Sequence, residues 1–113
     1  MGVKLSGMKE LKSSLNSKSS ISKLVAPVVR QNGAELQQKA QRYAPVDTGN
    51  LRRSIQLSIK DNGMTAEVAA TADYSAYVEY GTRFMYAQPY MHPAFNEQKD
   101  IFINDLNKVV KRR

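Results

Sequence analysis

Between residues 55 and 70 apolar side chains recur at every second position, and Asp61-Asn62-Gly63 interrupts the run at its centre. Ile55, Leu57 and Ile59 alternate with Gln56, Ser58 and Lys60. Met64, Ala66, Val68 and Ala70 alternate with Thr65, Glu67 and Ala69. Alternation places the apolar side chains of a strand on one face. Asn-Gly supplies the positive φ angles of a tight turn. The pattern predicts a hairpin, 54–60 paired with 64–71, with one face buried. Two strands alone make a marginal sheet. Either a third strand exists, in 83–90, or packing or another subunit completes the hairpin.

Helical spacing flanks the hairpin. Leu5, Met8, Leu11 and Leu15 recur every three or four residues and predict a short amphipathic helix over 3–16. Three turns with one stripe are not stable alone, so this helix must dock on the core or on a neighbour. Ser- and Asn-rich residues follow and predict a hinge at 17–20. Residues 1–20 thus read as an arm, mobile in the free subunit and ordered on a neighbour. A single domain, 21–113, comes after it. Leu24, Val25, Val28, Leu36, Ala40 and Tyr43 predict a long helix over 23–43, with Pro27 in its first turn. Ala44-Pro45 ends it, because a residue before proline is pushed out of the helical region. Tyr74, Tyr77, Val78 and Tyr80 fit a short helix capped by Asp73 and closed by Gly81. Residues 82–92 read as a loop. Pro93 opens a last helix, 93–111, with Phe95, Phe102, Leu106 and Val109 as its stripe and Lys108, Lys111, Arg112 and Arg113 near its end. The fold class is α+β: a small antiparallel sheet against a long helix and a C-terminal helix.

Composition excludes several functions. A hydrophobic content of 42% is too high for wholesale disorder. No apolar run approaches the ~20 residues that span a bilayer. The N-terminus shows no apolar signal core, so the chain is expected in a cytoplasm and off the membrane. With no cysteine, disulfides and thiolate metal sites are absent. The one histidine, His92, sits between Met91 and Pro93, a poor setting for a catalytic triad. No metal, cofactor or enzymatic activity is expected. Charge is uneven. Residues 1–60 hold 11 Lys/Arg against 3 Asp/Glu, while residues 61–113 hold 6 against 7. A basic half suits a polyanionic partner or a merely solvated surface.

Two strings carry more than their share of chemistry. The first is residues 44–55, where Pro45 and Gly49 constrain a turn and Arg52-Arg53 follow at once. A guanidinium is a planar fork that suits phosphate or carboxylate, and a salt bridge to Glu79 or Asp73 is an equally good use. The second is residues 74–83, with Tyr74, Tyr77 and Tyr80 around Glu79 and ending in Gly81 and Arg83. Met85, Tyr86 and Tyr90 lie in the uncharged stretch that follows. Such a cluster serves a core edge, a protein interface or base stacking. An ion pair with arginine is the expected role of Glu79.

The order of these strings resembles the tailed-bacteriophage neck or tail-completion family, whose type member is gene product ten of the lambdoid phage HK ninety-seven. A helix ending in Ala-Pro, then Thr-Gly, Leu-Arg and Ser-Ile corresponds to Ala44, Pro45, Thr48, Gly49, Leu51, Arg52, Ser54 and Ile55. After a hairpin, the family's Tyr-Ala-x-Tyr-Val-Glu-x-Gly-Thr-Arg is met by Tyr74 to Arg83, with Ser75 as the departure. A Met-x-Ala-x-Pro-aromatic loop and a Pro-Ala are met by Met85, Ala87, Pro89, Tyr90, Pro93 and Ala94. The resemblance spans roughly residues 20–110.

It implies a non-enzymatic virion protein at the head–tail junction, forming a ring around the DNA passage; about six subunits are expected because long tails are commonly six-fold. Its neighbours would be head-closure and tail-terminator proteins. Candidate DNA-facing residues are Arg30, Arg42, Arg52 and Arg53. Candidate interface residues are Tyr74, Tyr77, Glu79, Arg83, Met85, Tyr86 and Tyr90. Pro45, Gly49, Gly63 and Gly81 are candidate turn positions, with Gly49 and Gly81 at positive φ. A small basic nucleic-acid-binding regulator is the alternative.

Overall fold

The computed structural model describes residues 1–7, 19–45 and 49–111. The chain is an α+β fold. Strand β1 (Gly2–Ser6) is followed by a long helix α1 (Ser19–Tyr43), a short helix α2 (Asn50–Ser54) and strand β2 (Ile55–Lys60). A 3₁₀ turn (Asp61–Gly63) leads into strand β3 (Thr65–Ala70). Helices α3 (Ser75–Tyr80) and α4 (Met91–Lys111) complete it. The sheet is antiparallel with order β1-β3-β2.

The hairpin forms as its alternation requires. Ile55 pairs with Ala70, Leu57 with Val68 and Ile59 with Ala66. Asp61, Asn62 and Gly63 adopt φ values of 56°, 57° and 90°. Asp and Asn tolerate that region better than other residues with a Cβ.

The third strand is not in 83–90. It is Gly2–Ser6, which pairs Leu5 with Ala66 and Val3 with Val68. The expected helix from residue 3 is therefore wrong over residues 3–6. Val3 and Leu5 alternate as well as they fit a helical stripe, and a short apolar run does not separate the two periods. The partner strand, more than sixty residues away, supplies the backbone hydrogen bonds that decide it. Leu5 is buried in the protein's own core. The remainder of the expected helix, 8–16, and hinge positions 17 and 18 lie outside the described residues. Ser19 and Ser20, assigned to the hinge, belong to α1.

Helix α1 also runs through Pro27, which is not in its first turn. Pro27 and Lys23 are both exposed, so water can serve the Lys23 carbonyl that proline leaves without a donor. The buried stripe is Val25, Val29, Asn32, Gly33, Leu36 and Ala40, whereas Leu24 and Tyr43 are exposed. Gly33 is where helix and sheet meet most closely. A Cβ there would lie 2.8 Å from Ala66 Cβ and 2.9 Å from Leu57 Cδ1. The helix weakening expected of a central glycine is thus accepted for close packing.

Helix α4 lies alongside α1 and reaches β1 at the sheet edge. It begins at Met91, so Pro93 falls inside its first turn, where its missing N–H costs nothing. Met91, Ala94, Gln98, Phe102 and Leu106 are buried. Lys111's side chain, Arg112 and Arg113 lie outside the described residues. The α1–α4 seam is not purely apolar. Gln98 donates to Asn32 Oδ1 at 2.5 Å and Glu35 Oε1 at 2.8 Å, and accepts from Lys39. Asn32 donates to Asp105 Oδ2 at 3.1 Å and to the Val28 carbonyl at 2.9 Å. A satisfied polar set in an apolar seam penalises any slip of one helix along the other.

Candidate subunit interface and basic surface

The aromatic string folds into a loop held from both ends. Helix α3 closes at Gly81, whose N–H donates to the Tyr77 carbonyl at 2.8 Å. Gly81 has φ 79° and ψ 176°, a region essentially reserved for glycine. A Cβ would lie 2.8 Å from Ala87 N and 2.9 Å from Met85 O. Thr82 and Met85 exchange backbone hydrogen bonds of 2.9 and 3.3 Å, and Phe84 N–H donates to Thr82 Oγ1 at 3.1 Å. Gln88 N–H donates to the Val78 carbonyl at 2.8 Å and returns the loop to α3. Arg83 and Phe84 form the turn's tip, with the guanidinium 5.7 Å from the ring centroid.

Glu79 is the staple. Its side chain is buried within its own chain, and among the described residues it pairs with no arginine. It is 2% exposed and accepts from the backbone N–H groups of Tyr90 (3.1 Å), Met91 (2.8 Å) and His92 (3.1 Å). Those are the orphan donors at the start of α4, where a carboxylate also suits the helix dipole. His92 Nδ1 lies 2.8 Å from the second oxygen, and the His92 ring stands edge-on to Tyr80. Burial opposes ionisation of Glu79. The Met91 N–H, the His92 ring and the N–H groups of Tyr90 and His92 outweigh it and hold the carboxyl below its ordinary range.

Tyr90, also expected at an interface, is fully buried and donates to the Ser75 carbonyl at 3.2 Å. Burial pushes its hydroxyl up to about 12, so it stays a neutral donor. Asp73 does not cap α3, since Tyr74 occupies the capping position without a side-chain bond.

Beside the exposed Arg83, the loop presents mostly aromatic side chains to solvent. Phe84 is 89% and Tyr86 93% exposed. Tyr74, Tyr77, Tyr80 and Met85 are exposed on the same segment. Beside them runs a groove of about 320 Å³ lined by Pro45, Asn50, Leu51, Tyr74, Val78, Met85 and Gln88. Phe84 has no counterpart among the interface residues expected from the sequence. The signal available for Phe84 was its place at the tip of a loop opened by glycine.

The basic candidates divide. Arg42 and Arg52 share a shallow groove with Gln38 and Gln41. Arg52 is half-buried and donates from Nε to the Gln41 carbonyl at 3.0 Å, tying α2 to the end of α1. Arg53 is exposed and donates to Asn50 Oδ1 at 2.6 Å. Neither forms the expected bridge to Glu79 or Asp73. Arg30 is exposed about 18 Å from Arg42 along the axis of α1. Of the turn positions, Gly49 and Gly63 have φ 74° and 90° and Pro45 follows α1, while Val46, Asp47 and Thr48 lie outside the described residues. Among the described residues no helix is long and apolar enough to cross a membrane.

No curated protein and no solved structure matches the chain. Residues 9–81 match the family described as "Bacteriophage HK97-gp10, putative tail-component". The match takes in α1, Pro45 and Gly49, α2, the hairpin and α3, and stops at Gly81, before the aromatic loop. It covers well over half of the 113 residues, and the chain therefore belongs to the HK97 gp10-like family of bacteriophage tail components.

Proposed function

We propose that this protein is a structural, non-enzymatic component of the head–tail junction of a long-tailed bacteriophage. It forms a ring around the DNA passage and joins tail to head through head-closure and tail-terminator proteins. The observation that carries this reading is the stapled loop of residues 82–86. It holds two almost fully exposed aromatics in a rigid turn, and a rigid exposed apolar feature is a contact surface without its partner. The family's description supports a tail role in the virion. Against an enzyme stands the use of the one histidine, whose ring is engaged with the helix-capping Glu79. Arg30, Arg42 and Arg53 on the outer faces of α1 and α2 support contact with phosphate and not with bases.

Light scattering and electron microscopy on the isolated protein, and on necks reconstituted with its partners, test the reading. Rings of about six subunits are expected, because a head-to-tail contact closes when its rotation divides a full turn. A monomer in both settings sinks it. Sequence-selective DNA binding by a monomer or dimer would favour the regulator.

A further inference from the structure

Two parts of the aromatic face complement each other and do not meet within one chain. One is a knob. Phe84 projects from a turn closed by the Thr82–Met85 bonds, with Arg83 beside its ring. The other is the groove between α2 and α3. Its walls, Leu51, Tyr74, Val78 and Met85 among them, carry no charge, and its volume of about 320 Å³ has room for an aromatic ring. Asp73 directly precedes the wall residue Tyr74 in the chain and is exposed. Phe84 does not line the groove, although its neighbour Met85 does. The same turn bonds that fix Met85 as a wall keep Phe84 out in solvent.

We propose that Phe84 of one copy seats in the groove of the next, with Arg83 beside that copy's Asp73, as the repeating head-to-tail contact. This rests on the reading that the protein assembles with itself. The occupant is argued from complementarity. An apolar knob flanked by a cation faces an uncharged groove flanked by an anion, and neither Arg83 nor Asp73 is in an ion pair among the described residues. The loop is already ordered by its own hydrogen bonds, so seating it costs little further conformational freedom. A two-fold exchange is disfavoured. A reciprocal swap would consume both knobs and both grooves, so assembly would stop at two copies, short of the ring proposed above. A head-to-tail repeat leaves a knob free at one end and a groove free at the other, the condition for a ring or a filament.

The absence of native cysteine makes the test clean. Asp73→Cys and Arg83→Cys proteins are prepared separately, mixed and treated with a short bismaleimide. The expected product is the mixed dimer, with no Arg83→Cys protein linked to itself. Adding Phe84→Ser to both should cut the yield about tenfold, while Tyr86→Ser, equally exposed on the same loop, should not. Melting curves of the dilute, unassembled subunit should be unchanged by either substitution, since both side chains lie in solvent there. No mixed dimer, a yield indifferent to Phe84→Ser, or self-linking through residue 83 would each overturn the contact. Light scattering on the wild-type protein separates the two failures: oligomers without the mixed dimer refute this interface alone, and a persistent monomer without it refutes self-assembly as well.

Discussion

Glu79 does what no local pattern reveals: it reaches from one helix to cap another that begins twelve positions later. An acid among tyrosines and near arginines suggested a salt bridge, because sequence shows charge but not which backbone donors converge on it. Glu79→Gln keeps one acceptor but turns an amide donor toward a ring of N–H groups. It should cost about 1–3 kcal/mol of stability, measured by denaturant unfolding. The sign of the pH effect follows from the direction of the shift. Because the folded carboxyl lies below the ordinary value of 4.5, its contribution is complete above that pH and is lost as pH falls through the folded value. Melting temperatures followed from pH 7 down to pH 3 should therefore drop more steeply in wild type than in Glu79→Gln; parallel curves would mean another group governs acid sensitivity. Gly81 was easier to read, since a glycine after a short aromatic run signals a special backbone angle. The structure adds a second reason, the backbone of Met85 and Ala87 within 3 Å of any Cβ. Gly81→Val should lose at least 1–3 kcal/mol. Gly63→Ser should lose less, because among the described residues its Cβ would meet only the Ala26 side chain, at 3.1 Å, and no backbone atom. Equal melting temperatures for wild type and Gly81→Val would deny the position any special role.

At the level of elements, what is local was legible and what is long-range was not. The hairpin, the two long helices and the α3–Gly81 stop follow from period, proline and glycine alone. Helix α2 was missed because five residues give no measurable period, and Asn50–Ser54 had been divided between a turn and a strand. The seam of Asn32, Gln98 and Asp105 was missed because polar residues in a helical stripe look like gaps until the facing helix is known. Strand β1 was missed for the same reason in its strongest form, a pairing of residues 2–6 with residues 65–69 that closes more than half of the chain. It reverses one expectation. Residues 1–6 are not a detachable arm but the edge of the sheet, with Leu5 in the core beside Val25 and Val29. Deleting residues 1–6 should remove the burial of Leu5, about 1.5–3 kcal/mol by itself. It should also strip β3 of a whole row of hydrogen bonds, exposing an edge prone to pairing with other chains. The truncated protein should melt lower and aggregate. Hydrogen exchange on the intact subunit is the direct check, and it should find the ladder amides of residues 2–6 protected to nearly the degree of those in β3. Rapid exchange there would restore the arm.

For the molecule as a whole, the net charge of +7 was legible from composition, but its use depends on placement. Sequence brought Arg52 and Arg53 together as a pair of forks; folding separates their roles. Arg52 is committed to the Gln41 carbonyl, while Arg53, Arg42 and Arg30 keep exposed positions on α1 and α2. An arginine whose fork is already used for structure contributes to destabilisation when removed. An exposed one contributes mainly through the phosphate it neutralises, because each contact releases condensed counterions. The two kinds can therefore be told apart in one experiment. Isolated subunits should bind duplex DNA weakly and without sequence preference, with affinity falling steeply between 50 and 200 mM salt, a range chosen for its sensitivity to counterion release. Arg30→Gln, Arg42→Gln and Arg53→Gln should each lower the slope of log K against log salt by about 1 with unchanged melting temperature. Arg52→Gln should lower the melting temperature and leave the slope nearly alone. In an assembled ring these small terms add over every subunit, so weak binding by one subunit is compatible with a firm electrostatic lining around a passage. Slopes that no exposed arginine alters would show that this surface faces solvent or protein and not DNA.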